Sequence, residues 1–129
     1  MDELLKAIYD EFTNDATLVA ALTGGMYAIR ADPKVSTPYA VFDLISNVPD
    51  WTFAKAVESA RIQFSIFATT DTVLLDCAKK LMATYDFATL TFTGAGYTTV
   101  GLVRENNVTL YADGYYQYVI DYRMMIHAT

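Results

Sequence analysis

Apolar residues in this chain recur first at helical spacing, then at strand spacing, then at helical spacing again, and finally at strand spacing. Leu4, Leu5, Ile8 and Phe12 fall on one face at intervals of three and four, with Glu3, Lys6, Asp10 and Glu11 elsewhere, which predicts an amphipathic helix. Asn14 or Asp15 can cap a second short helix carrying Leu18, Val19 and Leu22, and Gly24-Gly25 ends it. Met26 to Arg30 reads as short and extended. Pro33 and Pro38 bracket a loop, and Tyr39 to Ile45 is apolar on both faces, as a central strand is. Val48 to Glu58 shows no period and reads as a projecting loop. From Ala60 the alternation is clean: Ala60, Ile62, Phe64, Ile66 and Ala68 face one way, while Arg61, Gln63, Ser65 and Thr69 face the other, with Phe67 the exception.

Thr70 or Asp71 caps a long second helix. Leu74, Ala78, Leu81 and Tyr85 form its stripe, Leu75 and Met82 widen it, and Asp76 pairs with Lys80 on the wet side. Strand spacing then returns. Thr89 to Thr93 is a short strand and Gly94-Ala95-Gly96 a connection. Thr98 to Arg104 and Val108 to Tyr111 extend the sheet, with an interruption near Asn106-Asn107. Asp113-Gly114 marks a hairpin turn. The last strand, Tyr115 to about Ile126, puts Tyr116, Tyr118, Ile120, Tyr122, Met124 and Ile126 on one face. Gln117, Asp121, Arg123 and His127 take the other. It exceeds the usual length of about 5–6 residues, so part of it is expected to project or to pair with a neighbouring subunit. The pattern predicts an α+β fold: a mixed, mainly antiparallel sheet with two main helices packed on it. No repeat, linker or low-complexity tract divides it, so residues 1–129 form one domain.

Composition narrows the function classes. At 129 residues, 53% hydrophobic and 19% charged, the chain is a packed domain rather than a disordered one. Ten Tyr, seven Phe and one Trp suit half-buried strands and interfaces. A net charge of −6 opposes general nucleic-acid binding, which needs a basic field to displace counterions. The lone cysteine, Cys77, allows no intrachain disulfide. The N-terminus lacks the basic start and apolar stretch of a signal peptide, and no apolar run approaches the roughly 20 residues of a spanning helix. The expectation is a soluble protein made in the cytosol.

Candidate chemistry is thin. Cys77 and His127 are the only residues of their types, too few for a zinc site, and no third group supports them as a catalytic pair. Gly94-Ala95-Gly96 lacks the strand-then-helix context and following Lys of a phosphate loop. Asp43, Asp113 and Asp121 fall near or within strands and could face a common cleft, though surface solvation also accounts for them. No metal or cofactor is expected. Trp51 and Phe53 read either as rings tucked onto the edge of the core or as aromatic anchors on a projecting loop, since Trp is enriched at binding hot spots.

Taken in order, several of these segments carry a resemblance. A short helical turn ending in glycine, Asp15 to Gly25, is followed by Met26-Tyr27 and then by the strand Pro38-Tyr39-Ala40-Val41-Phe42. Arg61, Gln63, Phe67 and Ala68 stand in the next strand. Leu110-Tyr111-Ala112-Asp113-Gly114-Tyr115-Tyr116 leads to Ile120-Asp121-Tyr122. Across nearly the whole chain this resembles the tail-terminator, or tail-completion, proteins of long-tailed phages. The resemblance implies a structural virion protein with no catalytic residues. It implies a ring of copies, a hexamer by expectation, at the head-proximal end of the tail tube, ending tube polymerisation and offering a surface to the head connector. The partners so implied are further copies of the chain, the tail-tube protein and the neck proteins, with DNA passing unheld and no membrane. Trp51, Phe53, Tyr115 and Tyr116 are the expected contact residues. The rivals are another neck or head-completion protein and a small ligand-binding or enzymatic α+β domain.

Overall fold

The computed structural model describes residues 2–29, 36–51, 56–86, 97–112 and 114–128. Three helices and five strands follow in the order α1 (Asp2–Thr13), α2 (Ala16–Ala21), β1 (Met26–Ala28), β2 (Tyr39–Trp51), β3 (Ala56–Ala68), α3 (Asp71–Tyr85), β4 (Tyr97–Ala112) and β5 (Tyr115–Ala128). The strands form one sheet in the order β1-β2-β3-β5-β4. β1 runs parallel to β2 and the remaining pairs are antiparallel. The α+β class and the mixed, mainly antiparallel sheet are therefore as the alternation predicts.

Local chemistry sets the helix starts. Asp15 caps α2 by accepting from the Leu18 N–H at 3.1 Å, and Thr70 caps α3 by accepting from the Val73 N–H at 3.4 Å. Asp15 also locks two helices together, because the Thr84 hydroxyl of α3 donates to its second oxygen at 2.6 Å. The Thr84 bond first, and the Leu18 amide second, hold its carboxyl below the usual carboxylate range. On the wet side of α3, Lys80 pairs with Asp76 at 2.9 Å.

The core lies between the helices and one face of the sheet. Ile62, Phe64, Ile66 and Ala68 of β3 and Ile120 and Tyr122 of β5 turn inward beneath Leu74, Ala78, Leu81 and Tyr85 of α3. Ile8, Phe12, Leu18 and Leu22 close the other flank. At the centre, the Phe64 ring lies 4.6 Å from Tyr85 and 5.7 Å from Tyr122. Each buried tyrosine has a partner for its hydroxyl: Tyr85 donates to the Ile8 carbonyl at 2.7 Å and Tyr122 to Asp86 at 2.6 Å. Burial pushes both phenols well above their ordinary range.

Several expectations need correction. Val48 to Glu58 is not an aperiodic loop. β2 and β3 stay paired through Val48↔Ser59 to Trp51↔Ala56, leaving only residues 52–55 between them. Strand pairing is a backbone property, so these residues extend the ladder without any apolar–polar alternation in their side chains. β5 is not a free edge either: β3 flanks it on one side and β4 on the other, so the open edge belongs to β4. The interruption near Asn106 is a bulge between Arg104 and Asn106 inside one continuous β4. Leu75 does not widen the α3 stripe, being 53% exposed, and Val19, an apolar position of α2, is 40% exposed. Residues 89–96, read as a strand and a connection, lie outside the described residues.

The strands outrun the helices. α3 has 15 residues, a length of about 22 Å at the helical rise. β4 has 16 residues, about 50 Å at the strand rise. No helix of this length covers the sheet from end to end.

Candidate functional site

Among the described residues, no group of three or more His, Cys, Asp or Glu is placed to hold a metal. Cys77 is buried in α3 and its thiol donates to the Ala21 carbonyl at 3.5 Å. Burial pushes that thiol up, which opposes the thiolate a nucleophile needs. His127 sits on β5 in register with Val57 and Thr98. Register sets Asp43, Gln63, Asp121 and Asn106 in one row across four strands. Gln63 stands between the two aspartates and donates to Asp121 at 3.1 Å. Two strand spacings, about 9–10 Å, therefore separate their backbones. Asp113 lies outside the described residues.

The remaining feature is the sheet face turned away from the helices. Because β3 and β5 alternate, every second residue of each reaches this face. Among the described residues, no element covers it. Its character changes along the strands. Toward the β4–β5 turn it is apolar: Tyr39 stacks on Phe67 at 5.1 Å, Val41 and Val119 are half-buried, and Val108, Leu110 and Tyr115 are 41%, 49% and 49% exposed. Partial burial first, and the Tyr115 phenol second, push Tyr39 up. Further along it is more polar, with the Asp43–Asn106 row followed by an ion pair between Arg61 and Glu105 at 3.3 Å, beside the exposed Val103. Exposed apolar surface grouped in this way is the usual mark of a contact site.

The residues expected to make contacts separate here. Tyr115 belongs to the bare face. Tyr116 lies on the opposite face, half-buried against the core, with its ring 4.5 Å from Tyr111. Trp51 ends β2 in register with Ala56, while its side chain, like the whole of Phe53, lies outside the described residues. Sequence reasoning missed Tyr39, Phe67 and Leu110 as neighbours of Tyr115, and Val108 as a member of the same face. Alternation puts each on its face, but only the strand order makes them adjacent.

This arrangement defines a class: an α+β sheet protein with helices on one face and an exposed, amphipathic sheet on the other. Among solved structures it is similar to a chain of the virion of a native gene transfer agent particle. The TM-score is 0.81 at 15% identity, over 98% of this chain and 96% of that one. No family model matches the sequence. No curated protein matches it either. Among the described residues, no helix is long and apolar enough to cross a membrane.

Proposed function

We propose that this chain is a structural virion protein of the tail-terminator kind, a ring of about six copies at the head-proximal end of a tail tube. The observation that carries the reading is the fold shared over almost the full length of both chains with a virion component. The order of segments from Asp15 to Tyr122 that resembles tail terminators supports it. So does the bare sheet face, which gives a ring subunit somewhere to meet its neighbours, the tube or the connector. Tyr115, Tyr116, Trp51 and Phe53 are the proposed contact residues.

Mixing the purified protein with assembled tail tubes and viewing the mixture by electron microscopy tests this. The expected result is a closed ring at one end of each tube. Tubes carrying isolated copies, or none, would overturn it. Where rings form, Tyr115→Ser and the pair Trp51→Ala with Phe53→Ala are expected to weaken tube binding while circular dichroism stays native, since losing a buried aromatic anchor costs about 2 kcal/mol or more.

The ring is also expected to let DNA through without holding it. The chain carries 15 acidic against 9 basic residues, and a basic lumen would retain duplex by counterion release. Fluorescence polarisation with duplex DNA near physiological salt should show no binding. Tight, salt-sensitive binding would contradict an unheld passage.

A further inference from the structure

The sheet ends in two unpaired edges. On one side is β4, whose outer edge has no strand partner among the described residues. On the other side β1 pairs only with Ala40 to Phe42 of β2, so among the described residues β2 is unpaired on that side from Asp43 to Trp51. An unpaired edge is a row of backbone donors and acceptors, and the partner it fits is another strand.

Three features fit these two edges to each other. First, they lie at the same level of the sheet. Asp43 is in register, through Gln63 and Asp121, with Asn106, and Asp50, through Val57 and His127, with Thr98. The open stretch of β2 thus spans the same height as residues 98–106 of β4. Second, their directions suit. β2 and β5 run one way, β3 and β4 the other. A rotation about an axis roughly along the strands would bring β4 of one copy against β2 of the next in the antiparallel sense, the more stable pairing. Such a contact is head-to-tail and closes into a ring when the rotation closes. Third, among the described residues the sheet's bulges fall in β2 and β4, between Leu44 and Ser46, Thr99 and Gly101, and Arg104 and Asn106. Bulges bend and twist a sheet, as ring closure requires. Pro49 removes one donor from the β2 edge without closing it.

We infer that copies of this chain join edge to edge, residues 98–106 of β4 pairing antiparallel with residues 43–51 of β2 in the next copy, so that one continuous sheet runs around the ring. The inference rests on the ring reading above and says how the ring closes. The helices of all copies then lie on one side of that sheet and the bare faces on the other.

The test uses rings assembled on tail tubes, in a Cys77→Ala background. Val103 is 49% exposed and lies in register, through Arg123 and Arg61, with Ser46. Val103→Cys is combined in turn with Ser46→Cys, Val48→Cys and Asp50→Cys, which covers staggers of zero, two and four residues in one direction. After oxidation, one combination is expected to give a covalent ladder climbing to the full ring on a denaturing gel, while each single-cysteine variant stays monomeric. Wild-type protein supplies a second readout that no substitution can disturb. Amide exchange at residues 98–106 and 43–51 should slow by about tenfold or more on ring closure. Rings seen by microscopy with no ladder and unchanged exchange would overturn the edge pairing and leave the ring reading standing. A covalent dimer from Val103→Cys alone would mean two-fold β4–β4 contact and would also overturn it. Tubes that never acquire rings would remove both.

Discussion

Tyr85→Ala is expected to lower the unfolding free energy by about 3–5 kcal/mol, the cost of emptying a large buried aromatic site. Tyr85 is fully buried at the end of α3 and fills the space between Phe64 and Tyr122. Its hydroxyl reaches the Ile8 carbonyl, which ties α1 to α3 across 77 positions of sequence. Alanine would open a cavity lined by two aromatic rings and cut that tie together. Tyr85→Phe separates the two effects. It keeps the ring and removes only the hydrogen bond, which costs about 1 kcal/mol. Marginal domains hold about 5–15 kcal/mol in all, so the alanine variant should be partly unfolded in mild urea while the phenylalanine variant is not. Equal midpoints for the two variants would show that the ring contributes little and the hydroxyl nearly everything.

That cluster also shows how far the sequence can be read. Leu74, Ala78, Leu81 and Tyr85 lie four, three and four apart, and Ile62, Phe64 and Ile66 two apart, so each element announces its own buried face. Period says nothing about which faces meet. The contact of Tyr85 with Phe64 and Tyr122 follows from strand order, and strand order depends on pairings between distant segments. The same limit governs the edges. A long aromatic last strand looks like an unprotected edge, yet β5 lies inside the sheet because β4 returns to pair along its length. The stretch from Val48 to Glu58 misleads for a different reason. Strand pairing joins backbones, so β2 and β3 run on through this stretch although its residues show no alternation.

The bare sheet face is legible in the same incomplete way. Tyr115 and Tyr116 stand side by side in sequence, but adjacent strand residues point to opposite faces. One of them therefore joins the bare face and the other packs beside Tyr111. The true neighbours of Tyr115, namely Tyr39, Phe67 and Leu110, come from three other strands. No local motif could have grouped them.

Gly24→Ala is expected to be the most damaging single-methyl addition in the chain's described turns, costing about 3 kcal/mol through overpacking and a broken hydrogen bond. A Cβ built there would lie 1.8 Å from the Ser36 carbonyl oxygen and 2.9 Å from that of Pro38. Both obstacles are backbone, so no rotamer change relieves them. The clash would push apart segments that are laced together: the Gly24 N–H donates to Pro38 at 2.8 Å, and the Ala40 N–H donates to Gly25 at 3.0 Å. These bonds lead directly into the β1–β2 pairing that begins at Met26↔Ala40. Gly114→Ala is the comparison. It meets nothing within 4 Å and carries only the strain of a φ of 81°, about 1–2 kcal/mol. The larger loss at Gly24 should come with a second sign. Loosening β1 uncovers residues 40–42 and lengthens the free edge of β2, and longer exposed edges invite unregulated pairing. Gly24→Ala should therefore scatter light at concentrations where Gly114→Ala and wild type stay clear. Equal stability losses at the two glycines, or no difference in scattering, would mean that the Gly24 turn does not secure this edge.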